Sequence, residues 1–141
     1  MKNKILSLLL ITLLMLSAVS LTGCSNRGNA DVHVFYYTYS DTYISTVRSA
    51  LDAKLRDAGI SFQDYDSNNS QTTQTEQVQT AITKGAKLLI VNIVTTGSDD
   101  AAGGIVELAK NAGIPVIFFN REVSNEVVNS YVKCAYVGSV M

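Results

Sequence analysis

The sequence predicts an open, doubly wound α/β domain with a mostly parallel sheet. Three observations carry that reading. Strand-type runs and helical-period runs alternate in order from Val32 to Gly138. The run "KLLIVNIV" is apolar almost throughout, as strands buried on both faces are. Gly59, Gly85 and Gly113 each follow a helical stretch, where a left-handed residue closes the last turn.

The elements follow from local pattern. "VHVFYYTY" (Val32 to Tyr39) is β-branched and aromatic, a strand. From Thr42 to Ala58, Ile44, Val47, Leu51, Leu55 and Ala58 recur on one helical face. "ISFQDYD" (Ile60 to Asp66) alternates as a second strand. Gln71 to Lys84 is polar but places Val78, Ala81 and Ile82 on one side of a helix. Lys87 to Val94 is the third strand. Ser98 or Asp99 caps a third helix, whose face is Ile105, Leu108, Ala109 and Ala112. "IPVIFFN" (Ile114 to Asn120) is the fourth strand. A short connection leads to the fifth, "YVKCAYVG" (Tyr131 to Gly138). Parallel strands with right-handed crossovers imply a sheet covered on both faces.

Composition narrows the function. The chain has 141 residues, 47% of them hydrophobic, enough for one small domain with a core. Eleven basic residues stand against 12 acidic ones, with no Lys/Arg cluster, so no nucleic-acid partner is expected. One histidine, His33, and two cysteines, Cys24 and Cys134, are too few and too far apart for a Cys/His metal site.

The first 23 residues read as a leader rather than as fold. Two lysines precede a long apolar stretch that ends in small residues at "LTGC". That ending resembles the lipobox of bacterial lipoprotein signal peptides, which implies cleavage before Cys24 and lipidation of its thiol. Two or more acyl chains anchor a protein stably where one does not. The alternative is a single membrane-spanning anchor, for which the apolar run is short. "SNRGNA" (Ser25 to Ala30) then reads as a tether, so 24–30 is a lipidated linker and 31–141 the domain. With Cys24 blocked, Cys134 is the remaining thiol, read as a small buried strand residue.

In such sheets, ligands bind outside the carboxyl ends of the strands. That edge receives Tyr39, Ser40, Asp41 and Tyr43 from the first strand. Asn92 to Ser98 follow the third strand, and Asn120, Arg121 and Glu122 the fourth. No nucleophile with an adjacent base stands there, so an enzyme is not expected. The first turn reads "YTYSDTYI", without the glycines that let a backbone approach a pyrophosphate, and its carboxylate repels phosphate. The "AAGG" at 101–104 lies inside the third helix. A neutral polyol suits the edge better. A carboxylate accepts hydroxyl protons strongly, an Asn amide both donates and accepts, and an aromatic ring covers the apolar face of a pyranose. Plainer roles stand beside these. Asp41 is well placed as a helix N-cap, Tyr43 as a first-turn residue, and Asn120 as a turn residue. Arg121 and Glu122 can form a solvated ion pair. His33 is read as structural.

Read together, "YTYSDTYISTVRSAL", "TKGAKLLIVNIV", "AGIPVIFFNRE" and "YVKCAYVGS" resemble the type 1 periplasmic sugar-binding proteins of ABC transporters. The galactose/glucose-binding group is the nearest match. The resemblance runs from Val32 to Ser139. It implies that Asp41 and Asn120 bind sugar, that Tyr43 stacks on it, and that Arg121 stands at a lysine position of the family. Asn92 matches a further motif position, its plainer role being to hold the strand end. Asn120-Arg121 replaces the Asp-Arg pair of ribose-binding members, and "TTG" (Thr95 to Gly97) replaces an Asp-Pro. The family has two lobes joined by a hinge. This chain is expected to be the first lobe only, an incomplete piece from which the second lobe, its half of the sugar contacts and its calcium loop are absent. The resemblance thus implies an extracytoplasmic lipoprotein, monomeric, that delivers a hexose to an ABC permease and needs no cofactor in this lobe. The alternative is a sugar-sensing lobe for a membrane-bound signalling receptor.

Overall fold

A computed structural model describes residues 29–138. The expected leader, Cys24 and most of the tether lie outside the described residues, as do residues 139–141. The order is β1 (Val32–Tyr36), α1 (Thr42–Asp57), β2 (Phe62–Asp66), α2 (Gln71–Thr83), β3 (Leu88–Val91), α3 (Asp99–Ala112), β4 (Val116–Phe119), α4 (Asn125–Asn129) and β5 (Cys134–Val137). The strands form one sheet in the order β2-β1-β3-β4-β5, every pair parallel. This is the expected α/β fold. The "short connection" before β5 contains a helical turn of five residues, α4, capped by Ser124.

Crossover handedness decides which face each helix covers. The chain steps from β1 to β2 in one direction and then back across the sheet to β3 and β4. Right-handed connections therefore put α1 on one face and α2 and α3 on the other. The α2/α3 face is the larger core. There Phe35, Leu89, Val91, Val116 and Phe118 pack against Val78, Ala81, Ile105, Val106 and Ala109. On the opposite face Val32, Val34 and Tyr36 pack against Ile44 and Leu55 of α1. Each large side chain removed from water contributes roughly 1.5–3 kcal/mol. Both faces are covered, as expected, but unequally. Leu88, Ile90 and Phe119 are only half-buried, because among the described residues α1 is the helix on that face and it lies over β1 and β2.

Two helical faces are also shifted. In α3 the buried stripe is Ala102, Ile105, Val106 and Ala109. Leu108 is half-buried and Ala112, in the last turn, is exposed. In α2 the apolar side includes a fully buried Gln74. Its cap is Ser70, and that of α3 is Ser98 rather than Asp99. Gly113 closes α3 at φ 72°, the left-handed conformation that glycine adopts without strain. The strands are shorter than their apolar runs, because the residues beyond them turn to form the carboxyl edge. The direction of winding reverses between β1 and β3, which opens a crevice at the ends of those two strands.

Candidate functional site

Asp41 begins α1 in extended backbone (φ −75°, ψ 125°), so its side chain folds back over the first turn. Its Oδ1 accepts the Ile44 N–H at 2.8 Å, which makes it the cap. Its Oδ2 accepts the Tyr37 hydroxyl at 2.7 Å. The Ile44 bond first, then the Tyr37 bond, hold the Asp41 carboxyl below the usual carboxylate range. The same bond pushes the Tyr37 phenol up. Asp41 thus caps the helix and also stays half-exposed and ionised at the crevice.

Tyr37 links this carboxylate to the far side of the crevice. The Arg121 guanidinium lies 4.3 Å from the centre of its ring. Arg121 Nη1 also donates to the carbonyls of Ile93 (3.1 Å) and Val94 (2.6 Å). Arg121 is therefore fixed by the β3 terminus rather than by Glu122; among the described residues the ion pairs are Arg56–Asp52 and Lys87–Asp31. Asn120 sits next to it in left-handed backbone at φ 64°, a conformation Asn tolerates better than most residues. Its N–H donates to Val137 O at 2.9 Å and its carbonyl accepts the Tyr136 hydroxyl at 3.3 Å, so the backbone is held while the residue is exposed. Tyr43 is 62% exposed, off the buried stripe of α1.

Asn92 differs from the others. It is fully buried. Its Nδ2 donates to Phe119 O at 3.1 Å, and its Oδ1 accepts the Tyr37 N–H at 3.5 Å. Its own N–H donates to Phe35 O at 2.8 Å. With no accessible polar atom, it ties β1, β3 and β4 together beneath the crevice instead of facing it. A buried amide must find such partners, and the strand ends supply them. Gln74 continues the network from α2, donating to Asn92 O at 3.0 Å and to Ser67 Oγ at 3.1 Å. Its Oε1 accepts the Val94 N–H at 3.1 Å, and Gln71 accepts the Thr95 N–H at 3.0 Å. Two glutamines of α2 thus hold the "TTG" loop that departs from the family pattern.

Sequence reasoning missed Tyr37 and Gln74. Both sat in stretches explained by periodicity, Tyr37 as strand aromatic and Gln74 as solvated helix. The spacing of four residues between Tyr37 and Asp41 was the available signal. Tyr39, expected at the edge, turns inward instead. It packs edge-on to Tyr36 with the Arg48 guanidinium 3.9 Å over its ring. His33 is buried, bonded to the Tyr65 hydroxyl and Ala30 O, as its structural reading implied.

A hollow of about 590 Å³ adjoins the crevice, lined by Thr95 to Asp99, Ala102 and Arg121 to Ser124. Arg121 is its only residue in common with the expected contacts; Asp41, Tyr43 and Asn120 do not line it. The arrangement puts a fixed carboxylate, a phenol and a guanidinium in line across the crevice, with Tyr43 and Asn120 exposed next to them in the chain. Among the described residues, no group of three His, Cys, Asp or Glu side chains is placed to hold a metal ion.

A family described as "periplasmic binding protein domain" matches residues 32–140. The chain belongs to this periplasmic binding protein family. It is 32% identical over 139 residues to the D-galactose/methyl-galactoside binding periplasmic protein of Haemophilus influenzae, which covers 98% of this chain and 40% of the relative. It is 26% identical over 124 residues to the ribose import binding protein of Escherichia coli, 87% of this chain and 41% of that one. Among solved structures, an ABC transporter solute binding protein of Bacillus halodurans with bound myo-inositol superposes with a TM-score of 0.64 at 28% identity, over 82% of this chain and 38% of that chain. The chain thus spans about two fifths of the length of the curated relatives it matches. These relatives are binding proteins rather than enzymes, and the periplasmic binding protein chain described here has the architecture of one of their lobes.

Proposed function

We propose that this chain is the first lobe of an extracytoplasmic sugar-binding protein of an ABC transporter, with a hexose of the galactose/glucose type as ligand. The observation that carries this reading is the Asp41 carboxylate, kept ionised and aimed by Tyr37 beside an exposed Tyr43 ring. Asp41 accepts sugar hydroxyl protons, Asn120 and Arg121 donate, and Tyr43 covers the C–H face. Tyr37 and Asn92 are positioning residues. The galactoside-binding relative and Asn120 in place of the ribose-type Asp support a hexose. The opposite wall is read as a second lobe of the full-length protein that closes on the ligand. Residues 1–23 are removed as a leader, Cys24 carries the lipid anchor, and the monomer delivers sugar to a permease.

Calorimetric titration of the complete protein with D-galactose, D-glucose, D-ribose and myo-inositol tests the ligand. A hexose should bind tightest; preference for ribose or inositol would replace the hexose assignment. Asp41→Asn, which keeps an N-cap, and Tyr43→Ala should each weaken binding by more than about tenfold at unchanged melting temperature. Unchanged affinity would reduce both residues to their helix roles. Labelled palmitate should enter the wild-type protein and not Cys24→Ser.

A further inference from the structure

Beside the apolar seam of α1 on β1 and β2 lies a polar one that the crevice does not use. Tyr36 Oη of β1, Asp52 Oδ1 of α1 and Asp64 Oδ1 of β2 are buried oxygens without a hydrogen-bond partner. Tyr36 is fully buried, and Asp52 and Asp64 are half-buried. Asp64 lies two residues beyond Phe62 and opposite Val34, on the face of β2 that α1 covers, and Arg56, bonded to Asp52, sits over the Phe62 ring, so both carboxyls belong to this seam. Two adjacent carboxylates repel, and one proton between them turns repulsion into a hydrogen bond. The other Asp52 oxygen, Oδ2, is engaged by Arg56 at 3.2 Å. That bond favours Asp52 as the charged acceptor and Asp64 as the proton carrier.

We propose that Asp52 and Asp64 share a single proton that clasps α1 to β2, so that the seating of the helix bearing Asp41 and Tyr43 responds to pH. The groups facing the pair are Arg48 and Arg56 from α1, Tyr39 from the turn before it, and Tyr36 from β1. Asp66, at the end of β2, reaches the Tyr39 N–H at 3.2 Å. Arg48 is stacked on Tyr39, and Arg56 lies 5.6 Å from the Phe62 ring centre as well as on Asp52; both charges favour the ionised Asp64, but less than burial and Asp52 oppose it. Burial first, then the Asp52 charge, pushes Asp64 up to about 7. Folded, Asp64 keeps a proton that the unfolded chain has already released. The stability this supplies is complete below the ordinary carboxylate range and disappears as pH rises through about 7.

Carboxyl carbon NMR of the full chain, titrated with pH, reads the proton directly. One aspartate should titrate near 7 and vanish in Asp64→Asn. Amides 42–57 should lose exchange protection between about pH 6 and about pH 8 beyond the intrinsic rate change. In Asp64→Asn the amide donates permanently to Asp52, so that loss should be absent and the unfolding midpoint at about pH 8 should equal or exceed wild type. His33, whose pKa burial lowers, acts in the opposite direction in both proteins and cancels from the comparison. Both carboxyls titrating below about pH 5, or Asp64→Asn losing as much stability at about pH 5 as at about pH 8, overturns the shared proton. If Asp64→Asn does not fold, the wild-type titration alone decides.

Discussion

At the residue scale, Asp41 has two oxygens and two occupations. One caps α1 and the other is held by Tyr37. Because the folded pKa is lowered, the stability Asp41 adds is present above the ordinary carboxylate range and is lost as pH falls below it. Tyr37→Phe removes one bond and leaves the cap. It should leave the melting temperature nearly unchanged and weaken sugar binding severalfold, measured by calorimetry on the complete protein, because the carboxylate is no longer aimed. Equal affinity would make Tyr37 a packing residue. Asp41, Tyr43, Asn120 and Arg121 were legible because helix starts and strand ends place residues at the carboxyl edge by topology alone. Asn92 was placed at the correct edge with two readings, contact or strand-end tie, and its burial matches the tie. Periodicity gives a residue's side, whereas depth depends on which neighbouring strand ends close over it.

At the scale of elements, α2 shows how packing overrides pattern. Its sequence is polar, yet Gln74 is buried and supplies three hydrogen bonds to the β3 terminus, the loop after it and Ser67. Gln74→Leu keeps the volume but leaves the Val94 N–H and Asn92 O without partners. Each such buried group costs about 1–3 kcal/mol, so the variant should lose roughly 2–6 kcal/mol in denaturant unfolding. A loss under about 0.5 kcal/mol would mean that water replaces the amide. The elements themselves were legible because apolar spacing and terminal Gly, Ser and Asp are local signals. Their ends were less so. Strands β1 and β3 stop short of their apolar runs where Asp66, Asn92 and Gln74 side chains take over the backbone partners.

At the scale of the whole molecule, the crevice has one wall in this chain. A half-site lacks enclosure and part of its polar contacts, so residues 25–141 alone should bind D-galactose no better than about millimolar, while the complete protein binds far more tightly. Titration calorimetry of both proteins checks this, and sub-millimolar binding by the shorter one would show that Asp41, Asn120 and Arg121 suffice. The order of strands and helices, the parallel sheet and the edge that bears the site were set by the sequence alone, since alternation and crossover handedness are properties of a single chain segment. Tertiary structure decided the rest: the Tyr37–Arg121 stack, the burial of Asn92 and Gln74, and the Asp52–Asp64 pair. Each joins residues from different elements. Their partners are chosen by how strands line up in the sheet, and no local spacing encodes that.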